Sequence, residues 1–380
     1  MDFFDVSAPW AILAPFPAIP AVEDLARCIA VLRRRDGIGK NPPAVMDALG
    51  PAPDDSVPIV VLNMGDGGSE RGGYTWRAGP GRVEIYGDSL RGLCGGIYSF
   101  LASLGFSWPA PGGESLPPRP TGTGSAGPGG YPLKDRGIYV QSMPAPENRR
   151  RLVISPATPR KEIPALGRWA VRNGVDALVF SLRDKRFRGR QKVTGDRTVA
   201  ELEKNWGLII ERGGWDLSPL VPRRFFFFRR ELFRMEGGRR IKDHHFCPTN
   251  PQTIALIRRR MDRFLGQGTR RAAVYHFWPD RGAEDHWCAC PACRAFMPRE
   301  QIRLAVNALA ALIEERDPQA RVSCRGEEES PLEKLPGSSE ITLRPNVFRL
   351  PAKLPPARPG EFSAPLYMYE DGCIRESEGR

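Results

Sequence analysis

The stretch KEIPALGRWAVRNGVDALVFS, residues 161–181, decides the fold class because it joins a helix signal to a strand signal. A helix is predicted over 161–173 and an apolar strand over 177–181. Alternating strands and helices favour a parallel sheet, and many repeats favour an α/β fold of the (β/α)8 TIM-barrel type. The same signals recur along the chain, with strands predicted at 137–141, 207–211, 272–277, 321–324, 340–343 and 365–369, and helices at 251–265 and 300–316. An eighth strand and closing helices are missing, so we expect a barrel that is incomplete at its C-terminal end.

A smaller unit precedes the barrel. Ser89 is the expected N-cap of its second helix, and Gly105 is expected to end that helix. Residues 109–131 consist largely of Pro, Gly, Ser and Thr, which build no core. The signals in this unit predict strands at 11–13, 57–63, 74–77 and 82–86 and helices at 22–32 and 89–104. The predicted division is a small α+β N-terminal domain, 1–108, a linker, 109–131, and a barrel domain, 132–380.

The composition is that of an ordinary globular protein, with 41% hydrophobic and 26% charged residues. A net charge of +12 would suit a nucleic-acid partner, but the basic residues are scattered, so a solvated basic surface is expected instead. No window has the roughly 20 apolar residues of a membrane-spanning helix. Acidic residues near the N-terminus and three early prolines argue against a secretory signal. The chain as it stands is therefore expected in the cytosol, and a start further upstream would instead favour secretion or the periplasm.

The second helix of the small unit belongs to a longer motif. It reads GDSLRGLCGGIYSFL over 87–101, followed by LGF at 104–106 and by Trp108-Pro109. This motif resembles the small domain that precedes the barrel in glycoside hydrolase family 20 hexosaminidases and in α-glucuronidases. The resemblance implies the same arrangement here, with a hexosaminidase-like domain in front of a TIM barrel.

A second set of motifs lies in the barrel half: FCPTNP at 246–251, Pro279-Asp280, and CACPAC at 288–293. Together these motifs are similar to the uncharacterised barrel family called domain of unknown function 4838 (DUF4838). The two resemblances cover residues from about 55 to about 345. They imply glycoside hydrolysis as the chemistry, by analogy of fold.

Glycoside hydrolysis needs a proton donor and a second group that attacks or stabilises the reacting carbon, normally two carboxyl groups about 5 to 10 Å apart. In a barrel such groups follow the C-terminal ends of strands. Asp280 fits because it comes directly after the strand predicted at 272–277. Glu284 and Asp285 on the same loop resemble, in reversed order, the adjacent Asp and Glu of hexosaminidases. A merely hydrated acidic loop is the alternative for these two residues.

Glu211 is a further catalytic candidate, at the end of its predicted strand. An ion pair with a nearby arginine is the alternative role. Gly213 and Gly214 follow, and glycines there would let backbone approach a ligand closely. The family resemblance implies a histidine after the two glycines, where this chain has Trp215, which would replace a hydrogen-bonding group by a stacking surface. Trp215 and Asp216 are therefore candidates for substrate binding.

Three more side chains are candidates for substrate binding. Arg136 opens the first predicted barrel strand, where the family 20 resemblance implies a substrate-binding arginine, and a guanidinium suits two-pronged contact with hydroxyls or a carboxylate. A salt bridge at the bottom of the barrel is the alternative. His245 and its neighbour His244 lie in a long connection from which either would reach sugar, although paired loop histidines are often incidental. Trp278, directly after a predicted strand, completes the set.

Cysteines cluster in the sequence HWCACPAC at 286–293. Cys288, Cys290 and Cys293 would supply three thiolates to a tetrahedral zinc ion, with Cys247 or Cys324 as the fourth ligand. A disulfide among these residues and free thiols are the alternatives. Either of the first two arrangements would pin the loop that carries the carboxylates, and no cofactor is required for the hydrolysis itself.

The sequence thus predicts a glycoside hydrolase that acts on a hexosaminide- or uronide-containing carbohydrate. A non-catalytic carbohydrate-binding protein, or a degenerate or fragmentary glycosidase, is the alternative. The run RRFFFFRR at 223–230 combines basic and aromatic residues, a pattern that also binds single-stranded nucleic acid by stacking. Packing of the phenylalanines under a long loop is the favoured interpretation.

Overall fold

A computed structural model gives the fold and describes most of the chain. Six of the candidate site residues named above lie outside the described residues: Arg136, Trp215, Asp216, Glu284, Asp285 and Cys324. The strands predicted at 137–141 and 340–343 lie outside them as well. The described residues are 3–16, 18–50, 53–54, 56–65, 72–119, 130–133, 149–182, 192–214, 217–266, 272–280, 286–323, 367–370 and 373–374.

The N-terminal part is a five-stranded sheet with two helices. Its strands lie in the order β3-β2-β4-β6-β5, in which only β5 is antiparallel to its neighbour. The short strand β1 pairs with β7 in a separate two-stranded sheet. The elements are β1 (Phe3–Asp5), β2 (Ala11–Ala14), α1 (Pro20–Arg35), β3 (Ala44–Asp47), β4 (Ile59–Met64), β5 (Tyr74–Gly79), β6 (Arg82–Gly87), α2 (Leu90–Ser103) and β7 (Gly130–Pro132).

The start of α2 explains the glycines of its motif. Ser89 caps the helix as predicted, since its hydroxyl accepts a hydrogen bond from the amide of Gly92 at 3.2 Å. A Cβ on Gly87 would lie 2.0 Å from the amide nitrogen of Leu93, and one on Gly92 would lie 2.2 Å from the carbonyl oxygen of Gly73. Glycine is therefore required at both positions so that the helix can pack directly on the sheet.

The second part carries the barrel signature. Strands β8, β9, β10, β13 and β14 are all parallel and lie side by side in chain order, with β15 antiparallel at the edge formed by β8. The elements are β8 (Arg151–Ile154), α3 (Ile163–Arg172), β9 (Ala177–Phe180), α4 (Lys192–Trp206), β10 (Ile209–Gly214), β11 (Met235–Glu236), β12 (Arg239–Arg240), α5 (Pro251–Gly266), β13 (Val274–Phe277), α6 (Pro298–Arg316), β14 (Arg321–Ser323), β15 (Tyr367–Glu370) and β16 (Cys373–Ile374).

Chain order and spatial order coincide in this sheet, which is the winding of a barrel rather than of a doubly wound sheet. A helix precedes each of β9, β10, β13 and β14 in the chain. The predicted α/β class and the barrel-type order are therefore confirmed, and within the described residues the sheet stays open.

The two faces of this sheet differ in chemistry. Leu178, Phe180 and Ile210 share one core with helices α3 and α4, and Phe277 lies in a second core with α5 and α6. Because successive strand residues point to opposite faces, the residues between these positions lie on the other face, which we call the inner face. Its side chains include the polar Arg151, Glu211, His276 and Ser323 as well as apolar residues such as Val179, so polar and apolar side chains share the inner face.

The N-terminal part packs directly on the barrel strands and helices. The indole of Trp169 in α3 donates to the carbonyl oxygen of Trp108 at 2.9 Å. Arg172 pairs with Asp24 at 2.6 Å. Burial raises the pKa of Asp24, but the hydrogen bond and charge of Arg172 outweigh it, so the net pKa lies below its usual value. The contacts form one continuous interface, and the division at residues 108 and 132 stays a prediction.

Candidate functional site

Glu211 lies inside β10 and has no exposed surface. The prediction that it ends its strand is wrong, because β10 continues through Gly214. The guanidinium of Arg151 holds both carboxylate oxygens, with Nε at 2.6 Å from Oε2 and Nη2 at 3.2 Å from Oε1. The arginine ion pair that the sequence left open as an alternative is thus present, on the inner face of the sheet.

The carboxylate of Glu211 is also linked to the next two strands. His276 of β13 places Nε2 at 2.8 Å from Oε2, and its Nδ1 lies 2.9 Å from the hydroxyl of Ser323 in β14. The indole of Trp278 lies 3.4 Å from the same hydroxyl. A chain of polar contacts, which we call the inner network, therefore crosses the sheet from Arg151 in β8 to Ser323 in β14.

The charge states of Glu211 and His276 in the inner network follow from their burial and from their hydrogen-bond partners. Burial would raise the pKa of Glu211, but the charges and hydrogen bonds of Arg151 and His276 lower it to about 2. Burial lowers the pKa of His276, and Glu211 acts against this effect only in part. At neutral pH the network therefore contains an ionised, fully paired carboxylate and a neutral imidazole.

Gly213 and Gly214 have positive φ angles of 112° and 104°. A Cβ on Gly213 would lie 2.0 Å from the carbonyl oxygen of His276, and a Cβ on Gly214 would face the ring of Trp278. The amide of Trp278 donates to the carbonyl oxygen of Gly214 at 2.9 Å. Within the described residues, the segment that approaches these two glycines closely is β13 and the residue after it, Trp278.

Asp280 follows the C-terminal end of β13, as predicted, and its side chain is 24% exposed. Its Oδ2 lies 3.6 Å from Nδ1 of His244. The charges of two aspartates, Asp280 and Asp243, act on the guanidinium of Arg223. Burial lowers the pKa of Arg223, while these two charges raise it. This carboxylate therefore lies at the barrel face where catalytic groups are expected, beside an imidazole and a guanidinium.

The two adjacent histidines have different places. His245 is completely buried, with its ring stacked on that of Trp287 at 4.3 Å between centroids and 8° between planes. Its Nδ1 lies 3.0 Å from the hydroxyl of Ser218. The half-exposed His244, in contrast, lies beside Asp280 and has its ring 6.2 Å from that of His286. Direct sugar contact by His245 does not fit this burial, whereas the side chain of His244 is accessible.

Trp278 is also buried, and its indole belongs to the inner network. In the arginine-rich run, Phe225 and Phe226 pack partly against the second core, as predicted. Phe227 and Phe228 are 73% and 66% exposed, contrary to that interpretation. Phe227 ends the 3-10 turn Arg223–Phe227, and Phe228 follows it.

Four buried cysteines form a cluster. The sulfur atoms of Cys247, Cys288, Cys290 and Cys293 all lie within 4.8 Å of one another. Cys247 Sγ is 3.7 Å from both Cys290 Sγ and Cys293 Sγ. A disulfide needs about 2.05 Å, whereas a tetrahedron with metal–sulfur bonds of about 2.3 Å has edges of roughly 3.8 Å. The predicted set, with Cys247 as the fourth member, is brought together at a spacing that is compatible with a structural metal.

Hydrogen-bond donors surround the sulfur atoms. The backbone amide of Met235 in the β11–β12 hairpin donates to Cys288 Sγ at 3.3 Å, and Nη1 of Arg240 lies 3.7 Å from the same atom. The hydroxyl of Thr249 lies 3.0 Å from Cys293 Sγ. Hydrogen bonds from Cys288 and Cys293 lower the pKa of Cys247, and the hydrogen bonds with Cys247 raise the pKa values of Cys288 and Cys293. Metals bind the thiolate form, so a bound ion would displace the protons that the cluster still holds.

The loop that carries three of the cysteines is held by α6. The side chain of Gln301 accepts from the amide of Cys288 at 3.0 Å and donates to the carbonyl oxygens of Cys288 and Cys293 at 3.1 and 3.3 Å. Gln301 is buried and was not predicted. Its position four residues into a helix of mixed polarity gives the sequence no signal for this role.

Two further features lie outside the predicted site residues: an apolar groove and the character of the helices. An apolar groove of about 710 Å³ lies along α5 and α6, and none of its lining residues is a predicted catalytic or substrate-binding residue; they are Pro248, Thr249, Pro251, Ile254, Ala255, Arg258, Phe296 and Leu304. Among the helices of the described residues, none has the length and apolar character needed to cross a membrane.

Comparison with models of known families finds no match to this chain, and comparison with curated proteins finds none either. Among solved structures, the chain is similar to the chitobiase of Flavobacterium johnsoniae, with a TM-score of 0.50 and 12% identity over 85% of this chain and 50% of that one. It is also similar to the family 20 β-N-acetylhexosaminidase of Streptomyces coelicolor, with a TM-score of 0.46 and 10% identity over 85% of this chain and 63% of that one.

The chain thus spans about half the length of the Flavobacterium chitobiase. At 12% identity the likeness to the chitobiase shows the fold alone. It agrees with the predicted glycoside-hydrolase-like fold. Membership of the DUF4838 family stays a prediction.

Proposed function

We propose that this chain is a glycoside hydrolase whose proton donor is Asp280. The observation that carries the proposal is the place of this carboxylate: it follows β13 at the C-terminal face of a barrel-ordered sheet, partly exposed and 3.6 Å from His244. A general acid must meet solvent-accessible substrate and exchange its proton, and Asp280 meets both requirements.

The second carboxyl group would come from Glu284 or Asp285, which follow Asp280 in the sequence. Glu211 does not suit direct chemistry on a sugar, because it is wholly buried and its oxygens are occupied by Arg151 and His276. Its role in the proposal is to hold β8, β10 and β13 in register. Arg136, Trp215 and Asp216 remain the proposed substrate-binding residues.

The substrate class of the proposal is a hexosaminide- or uronide-containing carbohydrate. The family 20 resemblance of the motif at 87–101 supports a hexosaminide. The guanidinium of Arg223, whose charge interacts with that of Asp280, would suit a carboxylated sugar. The carbohydrate is the expected partner, and nucleic acid is not.

Hydrolysis in this proposal requires no cofactor, and the cysteine cluster would hold a structural zinc ion. Cys247, Cys288, Cys290 and Cys293 offer four sulfur ligands at nearly tetrahedral spacing, with amide and guanidinium donors around them. Four sulfur ligands close the coordination sphere, so this metal would stabilise the loop and take no part in the reaction.

A non-catalytic or degenerate carbohydrate-binding protein is the second candidate. It is favoured by the burial of Glu211, which leaves Asp280 as the one exposed member of the predicted catalytic set among the described residues. Binding of sugar without turnover would be its signature.

The test is hydrolysis of a panel of aryl glycosides, including N-acetylhexosaminides and glucuronides, by the purified chain, by Asp280→Asn and by Asp262→Asn. Asp262 is a matched control because it is an exposed aspartate of α5 that pairs only with Arg316 among the ion pairs of the described residues. Turnover that disappears in Asp280→Asn and survives in Asp262→Asn supports the hydrolase. Sugar binding with no turnover on any substrate supports the second candidate.

A further inference from the structure

His244, which lies beside Asp280, and His286, whose ring lies near that of His244, are each connected to the cysteine cluster by a short piece of backbone. His244 lies three residues before Cys247, and His286 lies two residues before Cys288. The two segments, 244–247 and 286–288, are far apart in sequence, yet their rings meet at 6.2 Å. The sulfur atoms at the ends of the same two segments lie within 4.8 Å of each other.

The space between the histidines and the cysteines is filled by a stacked pair. His245 and Trp287 occupy the middle positions of the two segments, with parallel rings 4.3 Å apart. Both rings are buried. Trp287 also meets the ring of Phe246 edge-on at 5.9 Å, so ring contacts link the middle of the two segments, and their ends at the histidines and at the cysteines depend on other contacts.

Two other contacts hold these segments from outside. Arg223 donates to the carbonyl oxygens of His244, His245 and Ser218, the last two at 3.3 and 3.1 Å. Gln301 holds the backbone of Cys288 from α6. Each contact anchors one segment to its own surroundings, and neither joins the two segments to each other. The cysteine cluster does join them, since Cys247 ends one segment and Cys288 ends the other, with Cys290 and Cys293 directly after it.

We infer that metal binding at the cysteine cluster is a positioning device for the site at Asp280. A zinc ion would crosslink segments 244–247 and 286–288 at their inner ends, and thereby set where His244 and His286 stand relative to the carboxylate. Removing the ion would loosen the cysteine ends of the two segments, and with them the placement of the histidines, while the parallel strands keep their hydrogen bonds. The inference adds a function to the metal in the proposed hydrolase and rests on that proposal only for the importance of Asp280.

Metal content and amide hydrogen exchange test this directly, because neither readout depends on turnover. Native mass spectrometry of the full chain is expected to show one zinc ion per molecule. A Cys290→Ser variant should lose it, and Cys94→Ala, a buried cysteine of α2 outside the cluster, should retain it. Absence of zinc from protein purified without chelator would overturn the inference.

Hydrogen exchange is then measured with and without chelator. The expected result is a rise of about tenfold or more in the exchange rates of 243–249 and 286–294, with Ala177–Phe180 of β9 unchanged. No change in the first two regions, or equal exposure of β9, would each contradict a local positioning role. Because chelation uses the unaltered sequence, this arm decides the matter even where Cys290→Ser does not fold. A failure to hydrolyse any glycoside would count against the proposed function and leave both readouts as they are.

Discussion

Two carboxylates near the same sheet have opposite surroundings. Glu211 lies at the centre of the inner network, has no exposed surface and is held by Arg151 and His276. Asp280 lies just beyond the end of β13, is partly exposed, and has His244 beside it at 3.6 Å. The comparison teaches that the interior of a strand and the loop beyond its end give a carboxylate different surroundings: the buried one is fully paired within the sheet, and the partly exposed one is accessible from solvent.

The largest expected effect is on stability. Glu211→Gln removes the charge that neutralises Arg151, and leaving a buried charge unpaired costs about 3 to 5 kcal/mol. The free energy of unfolding, measured in urea, should fall by about this amount. Glu201→Gln is the control, because Glu201 pairs with Arg197 on the exposed surface of α4 and should shift stability by less than about 0.5 kcal/mol. Equal losses in the two variants would contradict the assigned role of the inner network.

Acid should reveal the same carboxylate. The folded-state pKa of Glu211 is about 2 and its ordinary value is 4.5, so the unfolded chain takes up a proton first as pH falls. The stability from Glu211 is therefore present above pH 4.5 and is lost as pH falls toward 2. His276 acts in the same direction below its ordinary value of 6.5, because burial lowers its pKa. Chemical unfolding at a series of pH values should show a steeper acid slope for the parent than for Glu211→Gln; parallel slopes would count against the pair.

The variant His244→Gln tests the surroundings of Asp280, the partly exposed carboxylate of the comparison. Glutamine keeps a polar group of similar reach but lacks the imidazole that faces Asp280, so we expect turnover of a cleaved aryl glycoside to fall by about tenfold. Unfolding free energy should change little, since the ring is half-exposed. A matched Gln substitution at the exposed His286 reports on the second ring. Unchanged turnover in His244→Gln would remove this histidine from the site.

Ser323→Ala is expected to give the smallest effect. It deletes one hydroxyl that lies 2.9 Å from Nδ1 of His276, at the far end of the inner network. A single buried hydrogen bond contributes about 1 kcal/mol, so the melting temperature should fall by only a few degrees. A loss as large as that of Glu211→Gln would mean that the network is held from its Ser323 end rather than by the Arg151 pair.

Regular elements with clear apolar periodicity could be predicted from the sequence. The second helix was expected at 89–104 and is Leu90–Ser103, and the strand expected at 272–277 is Val274–Phe277. Three members of the cysteine cluster were predictable too, because they lie within six residues, whereas the sequence left the fourth open between Cys247 and Cys324.

Other parts were hidden for physical reasons. Strand β8 begins within the run Arg149-Arg150-Arg151, whose charge masks a strand that is nevertheless buried through its pairing with Glu211. Strand β3 is mostly exposed and has no apolar alternation to reveal it. The partners of Glu211 come from β8 and β13, and pairing between distant strands leaves no trace in local sequence. The burial of His245 beside an accessible His244 depends on the tertiary contact with Trp287.

The most direct test of the difference between the two carboxylates measures unfolding free energy and glycoside turnover on the same two variants, Glu211→Gln and Asp280→Asn. The account predicts that Glu211→Gln loses stability by about 3 to 5 kcal/mol. It predicts that Asp280→Asn keeps the parent's stability within about 0.5 kcal/mol and loses turnover by about 100-fold or more. Turnover that persists in Asp280→Asn, or a loss of stability in that variant as large as in Glu211→Gln, would contradict it.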